Sequence, residues 1–253
     1  MKSLLFTICG RAGSKGLKSK NCLDLSALPL VLYSISVIDL FKKCSEYQVA
    51  IALNTDSEEL RSIVENHYDV SMVPRKADIA DDSSSKYEVI KDCYAYLVSQ
   101  NQSFDFVIDL DITSPLRKLD DLINIVGTIA DNDYDCVCSV VESRRNPYFN
   151  MVEKVGNSIR LVKPASYTAR QQTPRVYDLN ASMYAFTPKY LQKHGSIFEG
   201  NLGIVEMQDY CVLDIDSPED YEWMQVIHKV LIEKDNGIKN VYSNISNLVK
   251  KGS

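Results

Sequence analysis

Histidine is scarce in this chain, and its cysteines follow no metal-binding or redox spacing. The three histidines stand at positions 67, 194 and 228, far apart from one another. This distribution disfavours a histidine-based zinc site and a Ser-His-Asp hydrolase. The seven cysteines lie mostly inside apolar runs, and Cys136-Val-Cys138 is too closely spaced for a C-x-x-C motif. They are typical of small buried residues in a reducing compartment.

Long hydrophobic segments and an excess of positive charge are also missing. No apolar run approaches the roughly 20 residues that a membrane span requires, and the apolar part of MKSLLFTICGR is too short for a signal peptide. The formal net charge of −6 and the pI near 5.2 argue against broad nucleic-acid binding. We therefore expect a cytoplasmic globular protein that binds neither membrane nor nucleic acid.

Apolar strands alternate with amphipathic helices over the first 140 residues. The strands are predicted at LLFTIC, QVAIALN, DVSMV, FDFVIDLD and DCVCSVV, and the helices at 29–43, 58–66, 85–99 and 118–131. Continuous apolar strands between helices predict a mostly parallel sheet that is covered on both faces. The predicted fold class is therefore α/β, a Rossmann-like three-layer sandwich.

The pattern changes after about residue 142. MVEKVGNSIRLV predicts a β-hairpin that turns at Gly156-Asn157, inside an insertion over about 142–178 that suits dimerisation or lidding of a site. Strands at NASMYAF, GIVEM and CVLDIDS follow, and then a helix over 218–234. We predict a single domain over 1–235 and a polar tail over 236–253, either frayed or forming a separate short helix.

The first strand runs into a loop rich in glycine and cations, CGRAGSKGLKSKN. Glycine allows backbone N–H groups to close on an anion. The glycines Gly10, Gly13 and Gly16 are three apart each time. This spacing excludes the dinucleotide fingerprint G-x-G-x-x-G and the P-loop G-x-x-x-x-G-K-[ST]. What remains is a loop whose cations and amides suit a triphosphate, with a solvated basic turn as the alternative.

Six short blocks between residue 4 and about residue 225 occur in an order that is specific when taken together. They are GRAGSKGLKSKN, Thr55-Asp56-Ser57, VPRKADIADD, ITSPLR, RQQTP with Asn180 and Tyr184, and DIDSPED. In this order they resemble the acylneuraminate cytidylyltransferases, the CMP-sialic acid synthetases. ESRRNPYFNMVE, and Asn180-Ala181 in place of the usual Asn-Gly, resemble the branch that activates legionaminic acid.

The resemblance implies a reaction and a set of binding partners. CTP and a nonulosonic acid would give a CMP-sugar and pyrophosphate, on a fold of the nucleotide-diphospho-sugar transferase type, with Mg²⁺ or Mn²⁺ and as a homodimer. In-line attack on the α-phosphorus depends mainly on positioning and charge neutralisation. Arg11, Lys15 and Lys20 are the expected catalytic cations. The family pattern adds these nucleotide-binding residues: Ala12, Gly13, Ser14, Asn21, Arg75 and Asp82.

Aspartates on predicted strands are the candidate metal ligands. Asp214 and Asp216, two apart on one strand, would face the same side and bind Mg²⁺, with helix capping by Asp216 as the alternative. Asp111 stands near where the family has Gln-Pro and would bind either the metal or the sugar, the metal being slightly favoured. The other acceptor candidates are Arg170, which could hold the sugar carboxylate, and Gln171, Asn180, Tyr184 and Tyr148, with Arg144, Arg145 and Asn146 nearby.

Several alternatives stay open at this point. The favoured acceptor is legionaminic acid, but the same reaction on N-acetylneuraminic, pseudaminic or ketodeoxyoctulosonic acid is an alternative. Tyr184 could instead be a buried strand aromatic, and Arg144-Arg145 a dimer-interface pair. A non-catalytic nucleotide-binding protein of the same fold is a remote alternative. A hexose-1-phosphate nucleotidyltransferase would carry a loop nearer GxGTRxxP, which this sequence lacks.

Overall fold

A seven-stranded sheet organises the computed structural model, which describes residues 1–13, 16–76, 79 and 85–251. The strands found in these ranges are β1 Ser3–Gly10, β2 Asp24–Leu25, β3 Leu28–Pro29, β4 Gln48–Thr55, β5 Ser71–Pro74, β6 Phe106–Leu110, β7 Cys136–Glu142, β8 Val152–Val155, β9 Ser158–Leu161, β10 Tyr177–Phe186 and β11 Leu202–Glu206. The main sheet has the order β11-β7-β10-β6-β1-β4-β5. Only β10 runs antiparallel to its neighbours, β6 and β7, so the sheet is mostly parallel as predicted.

Helices cover both faces of this sheet. They are α1 Val31–Cys44, α2 Glu58–Glu65, α3 Lys86–Ser99, α4 Leu119–Asp131, α5 Pro188–Lys193, α6 Pro218–Lys234 and α7 Asn236–Lys251. One apolar core joins the sheet to α1, α2, α4, α6 and α7, and a second joins it to α3 and α5. Leu4 and Phe6 of β1 contribute to the first core and Leu5 to the second, which explains why this strand has apolar residues on both faces. The predicted three-layer α/β sandwich is confirmed.

The hairpin predicted in the insertion forms a separate two-stranded sheet. Val155 of β8 pairs with Ser158 of β9, so the turn consists of Gly156 and Asn157 as the sequence suggests. Gly156 has a φ of +61°, in the left-handed region that glycine adopts without strain. We call residues 151–162 the arm.

The segment over 211–217 differs from its prediction as a strand. Residues Asp209–Val212 form a 3₁₀ turn, and residues 213–217 continue without regular structure to the start of α6. The local run CVLDIDS has the alternating pattern of a strand, but within the described part of the chain it belongs to none of the sheets. Instead, Ile215 N–H donates to the carbonyl of Thr113 at 3.1 Å, which ties this segment to the loop after β6.

The residues after 235, expected to be a frayed tail or a short separate helix, form the full-length helix α7 packed on α1. A buried polar contact fixes this packing. The Asn244 amide donates to Asp39 Oδ2 at 2.9 Å and to the Ser36 carbonyl at 3.3 Å. Asp39 is also paired with Lys43 at 2.5 Å. Within the described residues, no helix combines the length and the apolar character needed to cross a bilayer.

Helices α6 and α7 also clamp the strained turn between β2 and β3. Ser26 and Ala27 have φ values of +50° and +64°, a region that costs an L-residue roughly 1–2 kcal/mol. Gln225 Oε1 accepts from the Ser26 N–H at 3.0 Å, and the Ser26 hydroxyl bonds His228 Nδ1 at 2.8 Å. The Tyr242 hydroxyl donates to the Ser26 carbonyl at 3.4 Å. The turn is therefore stabilised by hydrogen bonds from α6 and α7, since Ser26 and Ala27 do not themselves favour a positive φ.

We predict that His228 makes the stability of the fold pH-dependent. The ring is 1% exposed between Tyr33 and Tyr242, and burial lowers the pKa of His228 to about 4. The unfolded chain, with a histidine pKa near 6.5, then binds more protons than the folded chain over this interval. Stability from this group is complete above pH 6.5 and is lost as the pH falls toward 4. The loss between pH 7 and pH 5 should be about 2 kcal/mol.

Urea unfolding of the wild type and of His228→Asn at pH 7 and pH 5 measures this effect. The substitution keeps a side-chain partner for Ser26 but cannot be protonated in this range. It should lower stability at pH 7, because ring packing is lost, and should reduce the difference between the two pH values by about 2 kcal/mol. An unchanged difference would show that other groups cause the pH dependence.

Candidate active site

The glycine-rich loop starts at the carboxyl edge of the sheet, where β1 ends, and is fixed to β4. The backbone N–H of Ala12 donates to Asp56 Oδ1 at 2.7 Å, directly after β4. The buried side chain of Asn21 donates to the carbonyl of Arg11 at 3.0 Å. Asp56 and Asn21 thus hold the first residues of the loop from two sides. Parallel α/β sheets bind ligands at this edge.

The far end of the loop is docked on the segment before α6. Lys20 Nζ donates to the Ile215 carbonyl at 3.1 Å and to Asp216 Oδ1 at 2.7 Å. A Cβ placed on Gly16 would overlap the Asp216 carbonyl oxygen, whereas a Cβ on Gly13 would have no atom of the described residues within 4 Å. The predicted triphosphate cation Lys20 and the predicted metal ligand Asp216 are therefore paired with each other.

Arg75 lies in the same region as the start of the loop. Its Nε donates to the carbonyl of Ile79 at 3.1 Å. Burial lowers the pKa of Arg75, the negative charge of Asp56 opposes that shift, and the positive charge of Arg11 adds to it. Arg11 and Arg75 thus interact on the Asp56 side of the loop. Of the remaining nucleotide candidates, Ser14, Lys15 and Asp82 lie outside the described residues.

Two aspartates at the end of β6 enclose a lysine that the sequence analysis did not single out. Asp109 is fully buried and accepts from the Thr7 hydroxyl at 2.7 Å, while its other oxygen lies 3.0 Å from Lys86 Nζ. Lys86 Nζ also pairs with Asp111 Oδ2. Asp111 Oδ1 accepts both the N–H and the hydroxyl of Thr113, at 2.8 and 2.7 Å.

The charges in this cluster determine the protonation states of Asp111 and Lys86. Burial alone would raise the pKa of Asp111, but Lys86 and the Thr113 hydrogen bonds outweigh burial and keep it well below its usual range. Burial would likewise lower the pKa of Lys86, and the two aspartates raise it instead. The pair is therefore charged at neutral pH, with aspartate and ammonium each stabilising the other.

Asp214 is near this cluster, while Asp216 is exposed and pairs with Lys20. Burial raises the pKa of Asp214, and the negative charge of Asp111 raises it further. Ser114 Oγ donates to Asp214 Oδ1 at 3.4 Å. The side chain of Asp216 is 73% exposed and reaches Lys20. Among the described residues, no group of three or more His, Cys, Asp or Glu side chains is arranged to hold a metal ion.

Tyr184 and Lys86 line one cavity beside the carboxylates. The cavity has a volume of about 220 Å³ and mainly apolar walls, which include Phe198, itself 67% exposed, and Ile197. Lys86 Nζ lies 5.6 Å from the centre of the Tyr184 ring. Burial raises the pKa of Tyr184 to about 12, so its hydroxyl stays protonated. Lys86 is the charged side chain among the described residues that line this cavity.

Arg170 and Gln171 line a different, polar cavity at the base of the arm. Its volume is about 310 Å³, and Glu142 and Asn146 also line it. Arg170 Nη2 donates to the Ser143 carbonyl at 3.0 Å. Within one chain, the structure therefore separates these two acceptor candidates from the cavity of Tyr184.

Other candidates have partners within the protein. The buried Asn180 accepts from the Ser139 hydroxyl at 2.6 Å, and its amide lies 3.3 Å from Met207 Sδ. The Tyr148 ring packs against Tyr167, with centroids 6.4 Å apart, near the arm. Arg144 forms an ion pair with Asp209.

Comparison with known proteins identifies the family. The profile described as cytidylyltransferase matches residues 5–244. The chain belongs to the cytidylyltransferase family. It is therefore a nucleotidyltransferase, and the loop cations together with the carboxylates at the end of β6 form the candidate active site of this enzyme.

Two relatives and one solved structure indicate how similar this cytidylyltransferase is to characterised members. It is 35% identical over 232 residues to post-translational flagellin modification protein B of Campylobacter coli, covering 90% of this chain and 96% of the relative. It is 35% identical over 230 residues to CMP-N,N'-diacetyllegionaminic acid synthase of Campylobacter jejuni, covering 90% and 95%. The structure of CMP:2-keto-3-deoxy-manno-octonic acid synthetase complexed with CTP superposes with a TM-score of 0.63 at 15% identity, covering 90% and 99%.

The sequence analysis missed three residues of this site. Asp56 was quoted within the Thr55-Asp56-Ser57 block, and its position after an apolar strand could have marked it. Lys86 is the second residue of the helix predicted over 85–99, which is an ordinary place for a solvated lysine. Phe198 belongs to an irregular segment, and no local pattern connects it with Tyr184. For the last two, only the tertiary fold reveals the contact.

We predict that Gly16 of the loop and Gly127 of α4 differ in their tolerance of alanine. Gly16→Ala should lower kcat/KM for CTP at least about tenfold, because the Cβ must push the loop off the Asp216 carbonyl and a small displacement of catalytic groups is costly. Gly127→Ala, whose Cβ would lie 4.0 Å from Asp131 Oδ2 in a helix outside the site, should stay within about threefold of the wild type. Steady-state kinetics on both variants tests this, and equal effects would contradict the docking of the loop on Asp216.

Proposed function

We propose that the protein transfers CMP from CTP to the anomeric hydroxyl of a nonulosonic acid, releasing pyrophosphate, and that the acceptor is legionaminic acid. The observation that carries the reaction is that Arg11 follows β1, Arg75 follows β5 and Asp111 follows β6, so cations and carboxylates meet at the carboxyl edge of one sheet. The cations suit the triphosphate, whose charge rises at the leaving pyrophosphate. Membership of the cytidylyltransferase family supports CTP as the donor.

The acceptor is supported by one relative and one cavity. The relative named CMP-N,N'-diacetyllegionaminic acid synthase is 35% identical over 230 residues. Its acceptor carries two N-acetyl groups, whose methyl ends need apolar surroundings. The cavity of Tyr184, Ile197 and Phe198 offers such surroundings beside the carboxylates, with Lys86 as a polar group to orient an acyl oxygen. N-acetylneuraminic, pseudaminic and ketodeoxyoctulosonic acids are the competing acceptors.

Asp111 and Asp214 fit a divalent cation. Both are carboxylates, and the charge of Asp111 raises the pKa of Asp214, so a cation near both would relieve their repulsion. Mg²⁺ is commonly bound by one or two carboxylates together with substrate phosphates, and Mn²⁺ accepts the same ligands. Such an ion would neutralise charge on the reacting phosphate groups. Asp216 would join these ligands only by releasing Lys20.

A homodimer is the proposed assembly, with the arm as part of its interface. Val152 and Ile159 are 61% and 63% exposed and lie on the same face of the arm, next to Leu161. An exposed apolar face on a protruding hairpin is typical of an interaction surface. The polar cavity of Arg170 and Gln171 opens at the base of the same arm, so a second chain bound there would also approach that cavity.

The proposed reaction is tested by incubating the protein with CTP, Mg²⁺ and each of the four acids, measuring pyrophosphate release. We expect release to be fastest with legionaminic acid and to be lost when EDTA removes the metal. No release with any acid would reject the proposed reaction. Faster release with N-acetylneuraminic acid would reject the proposed acceptor while leaving the transfer chemistry intact.

We predict that Ile159→Asp dissociates the homodimer. The charge would be placed in the apolar face of the arm, where burial against a second chain is costly. Sedimentation velocity should show a shift from dimer to monomer. Lys154→Asp, on the same face but at an already polar position, is the matched control and should weaken the dimer less. A monomeric wild type would contradict the proposed assembly.

A further inference from the structure

Lys86 occupies the space between two carboxylates at the end of β6, and its surroundings define its role. It is the first residue of α3, whose preceding residue, Ser85, forms a capping box with Glu88. The backbone at this point is therefore fixed, and the side chain extends from a rigid base toward Asp109 and Asp111. Its Nζ lies 3.0 Å from Asp109 Oδ2, pairs with Asp111 Oδ2, and is 3.4 Å from the Ala181 carbonyl.

Both carboxylate oxygens of Asp111 already have partners in the protein. Thr113 donates twice to Oδ1, through its N–H and its hydroxyl, and Lys86 pairs with Oδ2. Asp109 is engaged by Thr7 and by Lys86. A divalent cation at Asp111 Oδ2 would lie close to the Lys86 ammonium group, and the two positive charges would repel each other at that distance.

We propose that Lys86 is a positioning residue whose ammonium competes with the divalent cation for Asp111. It keeps the affinity of the protein for the free metal low, so that the cation enters together with the phosphates of CTP. When the cation binds Asp111, Lys86 keeps its contact with Asp109 and turns toward the cavity of Tyr184. This inference rests on the proposed function, since it concerns the metal and the acceptor cavity of that same site.

The charges around Asp111 favour a cation that displaces the Lys86 ammonium group over a cation that binds in addition to it. Asp109 and Asp111 carry two negative charges, and Lys86 neutralises one of them at close range. Asp214 adds a third carboxylate whose charge interacts with that of Asp111. Removing the ammonium would leave this group more negative and increase its attraction for a divalent cation. Because Lys86 also lines the apolar cavity, a place for the displaced ammonium group exists next to the Tyr184 ring.

The experiment is a direct titration of the nucleotide-free protein with Mn²⁺, followed by electron paramagnetic resonance of the free ion. We expect Lys86→Gln to bind Mn²⁺ about tenfold more tightly than the wild type. Glutamine keeps a hydrogen-bond donor for Asp109 but carries no charge. Lys86→Arg, which keeps the charge, should bind as weakly as the wild type.

Two further variants separate competition at Asp111 from a general change of charge. The double variant Lys86→Gln with Asp111→Asn should lose the tighter binding, because the proposed ligand is gone. Lys43→Gln removes an equivalent lysine–aspartate pair, with Asp39 at 2.5 Å, outside the active site, and should leave Mn²⁺ binding unchanged. Unchanged or weaker Mn²⁺ binding by Lys86→Gln would overturn the proposal.

A folding defect in Lys86→Gln also tests the proposal. If this variant is unfolded without metal, Mn²⁺ should restore its circular dichroism spectrum and EDTA should reverse the effect, since metal binding would then stabilise the fold. Failure of Mn²⁺ to restore the fold would overturn the proposal. Mn²⁺ binding is measured without CTP or sugar, so the absence of pyrophosphate release with every acid would reject the proposed function alone.

Discussion

The burial of Asp109 is the constraint on which the rest of the site depends. A carboxylate in the middle of a parallel sheet is costly unless it is paired and hydrogen-bonded. Thr7 of the neighbouring strand supplies the hydrogen bond and Lys86 supplies the charge. Lys86 can do so only because a capping box starts α3 at that point of the carboxyl edge. The start of α3 thus places, beside the buried Asp109, the side chain that neutralises its charge.

The same edge is closed by parts of the chain that are distant in sequence. The segment over 213–217 lies against the glycine-rich loop, joined through Lys20 and through the close approach of Gly16 to Asp216. That segment leads into α6, and α6 and α7 together clamp the turn of Ser26. Since this turn directly follows the loop and precedes α1, the loop is supported from both of its ends. The carboxyl-terminal helices therefore contribute to the geometry of a site formed largely by the amino-terminal half.

Much of the architecture could be predicted from the sequence because its strongest signals are local. The mainly apolar strand over 3–10, the capping residues of α2 and α3, and the Gly156-Asn157 turn each depend on neighbouring residues only. The segment over 211–217 has the alternation of a strand but no partner strand, and alternation alone does not reveal whether a partner exists. The sequence of helix α7 suggests a polar tail, because the contacts that stabilise this helix, such as that of Asn244 with α1, are not local. The candidate site shows the same contrast. The loop cations form a recognisable sequence pattern, whereas the role of Lys86 depends on tertiary contacts.

The direction of β10 explains why the acceptor side was the least predictable part of the site. A strand pattern does not reveal orientation, and β10 is the one strand of the main sheet that runs against both neighbours. Its first half therefore lies at the edge where β6 and β7 end. An irregularity between Leu179 and Tyr184, with Ala181 at a φ of +53°, shifts its register there. This shift turns Asn180 inward to Ser139 and brings the Ala181 carbonyl within 3.4 Å of Lys86. Asn180 is an expected sugar ligand, but its own side chain is buried. Its effect on the acceptor cavity is therefore exerted through the neighbouring backbone, where the Ala181 carbonyl contacts Lys86.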